Sequence, residues 1–556
     1  MSTITHLVLG SDCGRYSPLL GCGCRKIHGS LPSRVGLWLV IWSLFSSGAA
    51  TAAPVLLIGQ NFTASTLGVD SGSLPPDSNG AVGPDHFVQF INGRYSVYNK
   101  TNATRLLSKT DLSFWSAAGV TIPSQWDVSD PRLIFDPRSQ RWFAAQIDFD
   151  PSGIINTNHF LLAISTTANP TGTWKGFAFL SDPGKVNFAD FPTLGLDAQG
   201  VYLSGDMFDT NGVPVNSTVV SIPKEDLLAV TPSIAGRTMF TNLSYSSRGE
   251  IIQPAIAVDG TTGGNLLATG NLGLNFQPHN TLKASTVLNT ASEGAATLSA
   301  ATTISVPSYT VPLDPVQPDG TTNLDNGDNR FSASVYRVKG VLYGTHSIEV
   351  NNRAAIRWYR ISATNYTLLE SGTITDNQLD LFFPSIAANT NGTVVIGCNG
   401  SSLSTFVSAY AVAGTTVNGV TTFGSLRLLK SGAASFQNTG SDGTSRWGDY
   451  SATSVDPADS THFWTIQMFP SSSSRWSTQV TELLTSGPRL SISRSGANLL
   501  ICWQTTAPAF QLQTTSALSA NPTWTPVTQT FTSGNQTCAL VTPSSAQQFF
   551  RLLEVP

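Results

Sequence analysis

The sequence predicts an all-β fold, a seven-bladed β-propeller followed by a small β-sandwich, and three observations carry that expectation. One short pattern recurs along most of the chain: a polar residue, a strand of small and apolar residues, then Asp or Asn before a turn. Asp190-Phe-Pro-Thr-Leu-Gly-Leu-Asp197 is a full copy, and Asp130–Asp136, Gln253–Asp259, Phe383–Asn389 and Asp449–Asp456 repeat it. Asp77–Gly83 and Arg330–Tyr336 are weaker members, and the resulting seven units read as a repeat array. Between copies lie short runs rich in Val, Ile, Leu, Phe, Tyr and Thr, broken by Asn-Gly, Asp-Gly and Pro-Gly turns. Finally, 40% of the 556 residues are apolar but only 12% are charged, so Ser, Thr, Asn and Gly solvate the surface, as in a secreted β-rich protein.

Residues 1–52 read as a leader. The apolar run Val35–Phe45 follows Arg25, Lys26 and Arg34 and precedes the small residues Gly48–Ala53, the pattern of a secretory signal cut before Ala53. The run is short for a membrane span, which needs about 20 residues. Residues 53–487 hold the propeller. In the second unit Pro131–Asp136, Arg141–Ile147, His159–Ser165 and Thr173–Phe179 form a four-stranded meander, the unit of a propeller blade. The third unit repeats it with Phe191–Leu196, Val201–Phe208 and Ser217–Ile222, after which Lys224–Leu228 makes one helical turn. The fifth has Phe331–Arg337, Val341–His346, Ala355–Arg360 and Leu368–Ile374. The seventh, with Tyr450–Val455, His462–Phe469 and Ser477–Leu483, is one strand short, and Val55–Ile58 is expected to supply the missing one and close the ring.

The pattern changes after Gly487-Pro488. Residues 488–556 predict a separate sandwich from Asn498–Gln504, Phe510–Thr514, Trp524–Val527, Cys538–Val541 and Phe549–Leu553. Its core is small, which Trp503 and Trp524 are expected to fill and a Cys502–Cys538 disulfide to reinforce. Cys13, Cys22 and Cys24 belong to the leader, and Cys398 is left as a buried small apolar residue.

Five stretches, Pro76–Pro84, Ser129–Arg132, Phe188–Gly195, Asp328–Arg330 and Arg446–Ala452, together resemble secreted bacterial propeller proteins distantly like the sialidase-type propellers. The C-terminal segment, through Phe510–Thr514, Leu518, Trp524 and Phe549–Leu552, looks like the immunoglobulin- or fibronectin-like tail of many exported bacterial proteins. That resemblance implies an extracellular protein, with the tail as spacer or surface-attachment module.

The first strand of each blade lines the central channel, so the residue opening it lies at one mouth. Asp77, Asp130, Asp190, Gln253, Arg330 and Asp449 are expected to gather there, with Arg132 and Arg446 close by. Such a group can bind a polar ligand, and it can equally cap turns and tie blades together. Trp126, Phe191, Phe331, Trp447 and Tyr450 are the candidate aromatic platforms. A sialidase-type reaction needs an arginine trio, for which Arg132, Arg330 and Arg446 are available, and a Tyr activated by Glu. No Glu stands in a strand-opening motif, and Ser165–Trp174 echoes the Asp box of those enzymes without its Asp. The loop Asp314–Asp328, with Asp325 and Asp328, has hard oxygen donors suited to calcium. The seven His form no zinc spacing, and no nucleophile elbow, phosphate loop or dinucleotide fingerprint occurs. A net charge of −4 without a basic cluster argues against nucleic acid. The leading reading is a non-catalytic binder of an extracellular polysaccharide or surface protein at the polar mouth; the alternative is a glycan-active hydrolase or lyase using Asp and Arg there.

Overall fold

A computed structural model describes residues 54–152, 157–270, 276–291, 294–319, 322–438, 443–518, 522–545 and 547–555, so the proposed leader lies outside the described residues. The described chain separates into compact units at Ser486/Gly487. In the first, seven antiparallel sheets follow one another along the chain, each beginning with a strand on the central channel. The second sheet shows the plan: Asp127–Asp136, Arg141–Phe149, His159–Ser165 and Trp174–Leu180 run up and down in sequence order. The inner strands of the others are Asn79–Val82, Phe188–Leu196, Gln253–Pro254, Tyr336–Val338, Asp380–Ala388 and Ala452–Val455.

The seventh sheet has only three strands of its own. Leu57–Thr66, from the start of the described chain, pairs with Arg475–Leu484 in the register Leu57↔Leu484 to Thr66↔Ser477 and becomes its outer strand. A propeller has no central core, and the apolar residues instead form seven clusters, one for each pair of neighbouring sheets. One of them joins the last sheet to the first, with Phe87 and Trp464 rings 5.6 Å apart. The ring therefore closes through side chains as well as through the borrowed strand.

The Asp or Asn that ends five of the repeats is a turn cap. Asp136 accepts the N–H groups of Arg138 and Ser139, Asp197 those of Gln199 and Gly200, Asp259 that of Thr261, Asn389 those of Asn391 and Thr393, and Asp456 that of Ala458. This is Asx-turn chemistry, and it accounts for half of the repeat without any appeal to function. Asp136 also meets Lys224, at the start of the helical turn Lys224–Leu228, at 2.6 Å, with both side chains buried. Lys224→Ala leaves Asp136 buried without its cation, so thermal melts should show a loss of about 3–5 kcal/mol.

The inner strands of the fourth and fifth sheets are shorter than expected, because neighbouring blades take their backbone groups. Ala257 N–H donates to Leu196 C=O (2.7 Å), Ile256 N–H to Val335 C=O (2.8 Å) and Arg337 N–H to Ile256 C=O (2.9 Å). Residues 331–335 are thus not ladder strand, and the C=O groups of Phe331, Ser332 and Val335 accept from Gln253, Arg132 and Ile256 instead. The same close approach explains the Gly in the third repeat: a Cβ on Gly195 would lie 2.4 Å from Pro254 O. One helix was not expected from the sequence. Asp111–Ala117 is capped by Thr110, which accepts Ser113 N–H, and it buries Phe114 and Trp115.

The second unit packs two sheets face to face. Ser491–Ser495, Asn498–Gln504, Gln536–Val541 and Phe531–Ser533 form one, and Thr525–Pro526, Ala509–Thr515 and Phe549–Val555 the other. Leu499, Ile501, Trp503 and Ala539 from the first meet Leu512 and Phe550 from the second. Cys502 and Cys538 face each other on adjacent strands and are bonded. Trp503 is core as expected, but Trp524 lies half-buried under the Arg551 guanidinium, 4.4 Å from its ring centre. In the propeller unit, Cys398 is buried and its thiol is pushed up to about 12 by burial, so it is an inert packing group.

Candidate ligand-binding mouth

The repeat also builds the mouth. Asp130, Phe191 and Phe383 each precede a proline and adopt a left-handed backbone, with φ of 62°, 50° and 46°. Each stands at a register shift where the inner strand leaves its partner and resumes pairing. Asp77 (φ 47°) and Ile251 (φ 49°) are also left-handed, just before the inner strands of the first and fourth blades. A left-handed conformation is costly for any of these residues and most of all for a β-branched one. Five such positions around one end of the channel bend the strand openings, and the Asp side chains among them, toward a common centre.

The result is one connected charge cluster of two layers. The inner layer is buried: Asp77, Asp130 and Arg132 are 1%, 7% and 2% exposed. Asp77 accepts from Asn92 Nδ2 (2.8 Å) and Asp449 N–H (3.1 Å), and Asp130 accepts from Ser129 Oγ (2.8 Å). Arg132 crosses the channel. It donates from Nε to Pro192 C=O in the third blade (2.8 Å) and from Nη1 to Ser332 C=O (3.0 Å), while its guanidinium lies 3.5 Å from the Tyr450 ring centre and 5.1 Å from that of Phe191. Its Nη2 is buried without a hydrogen-bond partner among the described residues.

Above this floor lie four half-buried groups, Asp190, Arg330, Arg446 and Asp449. Arg446 pairs with Asp449 at 2.7 Å and Asp325 at 3.2 Å. Arg330 is clamped by Asp328 and by Glu250 at 3.0 Å, with Asp206 at 3.9 Å. Asp190 stands directly opposite Asp206 in the ladder of the third blade. Eight carboxylates thus meet three arginines, and the imbalance appears in their titration. Burial, then Asp449 and Asp130, hold Asp77 far above the usual carboxylate range. Burial and the neighbouring Asp190 raise Asp130 to about 7, burial and Asp449 raise Asp190 to about 6, and burial raises Asp206 to about 7 despite Arg330.

Set against the sequence expectation, Asp190, Arg330, Arg446 and Asp449 line the open part of the mouth, while Asp77, Asp130 and Arg132 lie beneath it. Gln253 is buried and donates to Phe331 C=O. Three of the five expected aromatic platforms are not accessible: Phe331, Trp447 and Tyr450 are 0%, 0% and 2% exposed. Trp447 is spent on Asn399, and Tyr450 on Arg132 and Pro131. Phe191 and Trp126 remain half-exposed, the latter 6.4 Å from the His159 ring. Asp325 and Asp328 each serve an arginine, and no group of three or more His, Cys, Asp or Glu among the described residues is placed to hold a metal ion, so the calcium expectation finds no cluster to rest on.

Sequence reasoning missed Asp206, Glu250 and Tyr245. Glu250 precedes the Gln253 repeat by three residues, and only the left-handed Ile251 turns it back to Arg330. Asp206 lies near the end of a second strand, Gly200–Phe208, outside the repeat, where its period-2 alternation with Ser204 gave a faint signal. Tyr245 donates to Met207 C=O beside both carboxylates; burial, then Asp206 and Glu250, raise its hydroxyl.

No protein-family model matches the chain, and no curated protein matches it. Among solved structures it is similar to the phage phi92 endosialidase, at 8% identity and a TM-score of 0.38 over 79% of this chain and 71% of that one. It is also similar to the Dos1 propeller (8%, 0.37, 78% and 95%) and to a protein of unknown function from Dyadobacter fermentans (10%, 0.35, 66% and 96%). At such values these are likenesses of fold and say nothing about chemistry. The class, a β-propeller, rests on the sheets themselves.

Proposed function

We propose that this is an exported, non-catalytic binding protein that recognises an uncharged polysaccharide at the polar mouth of its propeller. The observation that supports this reading is the construction of the mouth: half-buried Asp190, Asp449, Arg330 and Arg446 stand over a buried floor of Asp77, Asp130 and Arg132. Sugar hydroxyls donate and accept at once, so they suit alternating carboxylates and guanidinium groups. The half-exposed Phe191 face offers an apolar contact for a sugar ring. The excess of carboxylates disfavours uronic and sialic acids by like-charge repulsion. Export accords with the leader pattern and with the disulfide. No described helix is long and apolar enough to cross a membrane. In the C-terminal sandwich, numbering its strands from its own beginning, the sheet orders are one-two-six-five and four-three-seven, which accords with an immunoglobulin-like spacer.

One observation favours the glycan-active alternative: Asp190, held at about 6, sits beside the half-buried Asp449, and a raised carboxyl next to a second one suits general acid catalysis. A screen of neutral and acidic polysaccharides with residues 53–556 tests both readings, with Asp190→Ala plus Asp449→Ala as comparison. Retention of neutral chains, at least tenfold weaker in the double variant, is expected. Release of shortened sugars by the wild-type protein alone would establish the enzyme reading instead.

A further inference from the structure

The inner strands end in a second concavity, at the opposite end of the channel from the charged mouth. Its volume is about 220 Å³. Six blades contribute to its wall, chiefly Val82, Phe135, Val258, Val338, Ala388 and Val455. The Tyr336 ring lines its inner end, and Tyr336 Oη donates to Thr453 C=O of the seventh blade at 3.0 Å. Next to that bond the channel holds a void of only about 10 Å³, lined by Asn79, Ser385 and Thr453 among others, too small for more than one water molecule. The cavity is thus closed off from the charged mouth.

Polar groups surround the opening, and most are already engaged, although Arg337 Nε is buried without a hydrogen-bond partner among the described residues. Asp456 holds Lys100 with both oxygens at 2.9 Å and accepts Trp464 Nε1 at 3.1 Å. Asp259 accepts from Thr261 N–H, Thr261 Oγ1 and Lys339 N–H. Asn389 donates to Ser460 C=O and accepts two N–H groups of its own turn. Arg337 Nη1 donates to Thr262 C=O, Gly263 C=O and Asn265 Oδ1. Each carboxylate has a cation beside it, Lys100 for Asp456 and the nearby Arg337 for Asp259.

We propose that this cavity is a binding site for one small uncharged aromatic molecule. A cavity of about 150 Å³ with aliphatic and aromatic walls is enough to hold benzene, so this one accommodates a single ring with a short substituent. The Phe135 and Tyr336 rings and the flat faces of Pro137 and Pro457 favour a ring over a branched alkane. The engaged rim leaves shape and apolar burial as the means of recognition. The inference is independent of what the charged mouth binds.

Saturation-transfer NMR with toluene on the full chain tests it. Transfer to toluene is expected for the wild-type protein, with affinity at least tenfold weaker in Ala388→Leu, which fills the cavity. No transfer, or equal affinity in a folded Ala388→Leu protein, would overturn the proposal. Should that variant fail to fold, crystals of the wild-type protein soaked with iodobenzene decide it: iodine between Tyr336 and Val455 supports the site, and iodine elsewhere or none refutes it.

Discussion

A chain that begins at Gly68, without the strand Leu57–Thr66, is expected to lose cooperative folding or to melt on the order of 10 °C lower. The strand is only ten residues long, but it is the outer strand of the seventh blade. Leu56, Leu57 and Ile58 are 7%, 1% and 8% exposed, and burying each large aliphatic side chain is worth about 1.5–3 kcal/mol. Buried Leu56 and Ile58 also belong to the cluster between the sixth and seventh blades, so their loss loosens a second interface. The bare edge of Arg475–Leu484 would then invite pairing between chains. Thermal unfolding followed by circular dichroism, with light scattering, checks this. Adding a peptide of residues 54–67 should restore part of the lost stability, and an unchanged cooperative melt of the truncated chain would refute the role.

The protein should be more stable at pH 5 than at pH 8, by several kcal/mol, against the usual trend for carboxylate-rich proteins. Asp130 and Asp206 are held at about 7 and Asp190 at about 6, with Asp77 far above its ordinary value. Asp111, buried beside the Gly93 N–H, is also raised to about 6 by burial. In the unfolded chain these groups release their protons near 3.8, so between about pH 4 and 7 the native state holds more protons. Stability therefore falls as pH rises through that window, and Asp77 extends the fall beyond it. His159 and His462, raised beside Asp148 and Glu482, lose their stabilisation in the same direction as they deprotonate. His346, pulled down to about 4 by burial, acts in the opposite sense below about pH 6.5. Melting curves across pH 4–8 read the slope, and Asp206→Asn should flatten it. A melting temperature that climbs toward neutrality would contradict the electrostatic account.

The architecture was legible because blades repeat, and repetition shows in sequence even when each copy is degraded. The missing strand of the seventh unit pointed to an N-terminal strand at Val55–Ile58, and Leu57–Thr66 supplies it. Inner strands of the fourth and fifth blades misled, because Ile256 and Val335 bond to neighbouring blades and the local pattern does not encode that. For the mouth, the strand-opening Asp and Arg residues do gather at one end of the channel, but the sequence did not show their depth. Asp77 and Asp130 look equivalent to Asp190 and Asp449 in sequence, and only burial by tertiary neighbours separates floor from rim. Trp447 and Tyr450 read as platforms because exposure of an aromatic depends on tertiary neighbours, here Asn399 and Arg132. Glu250 and Asp206 escaped notice because they reach Arg330 from outside the repeat.

The central claim is that the open rim of the mouth serves a ligand and not the fold. Neutral-polysaccharide binding and thermal melting, measured side by side for the wild-type protein and the Asp190→Ala plus Asp449→Ala variant, test it most directly. Functional groups held against their own stability should be removable without harm to the fold. The account predicts binding by the wild-type chain that is lost in the double variant, whose melting temperature at pH 7.5 is unchanged or higher. Absence of wild-type binding to any neutral chain, together with a variant that melts far lower, would contradict it and make the carboxylate ring a piece of architecture.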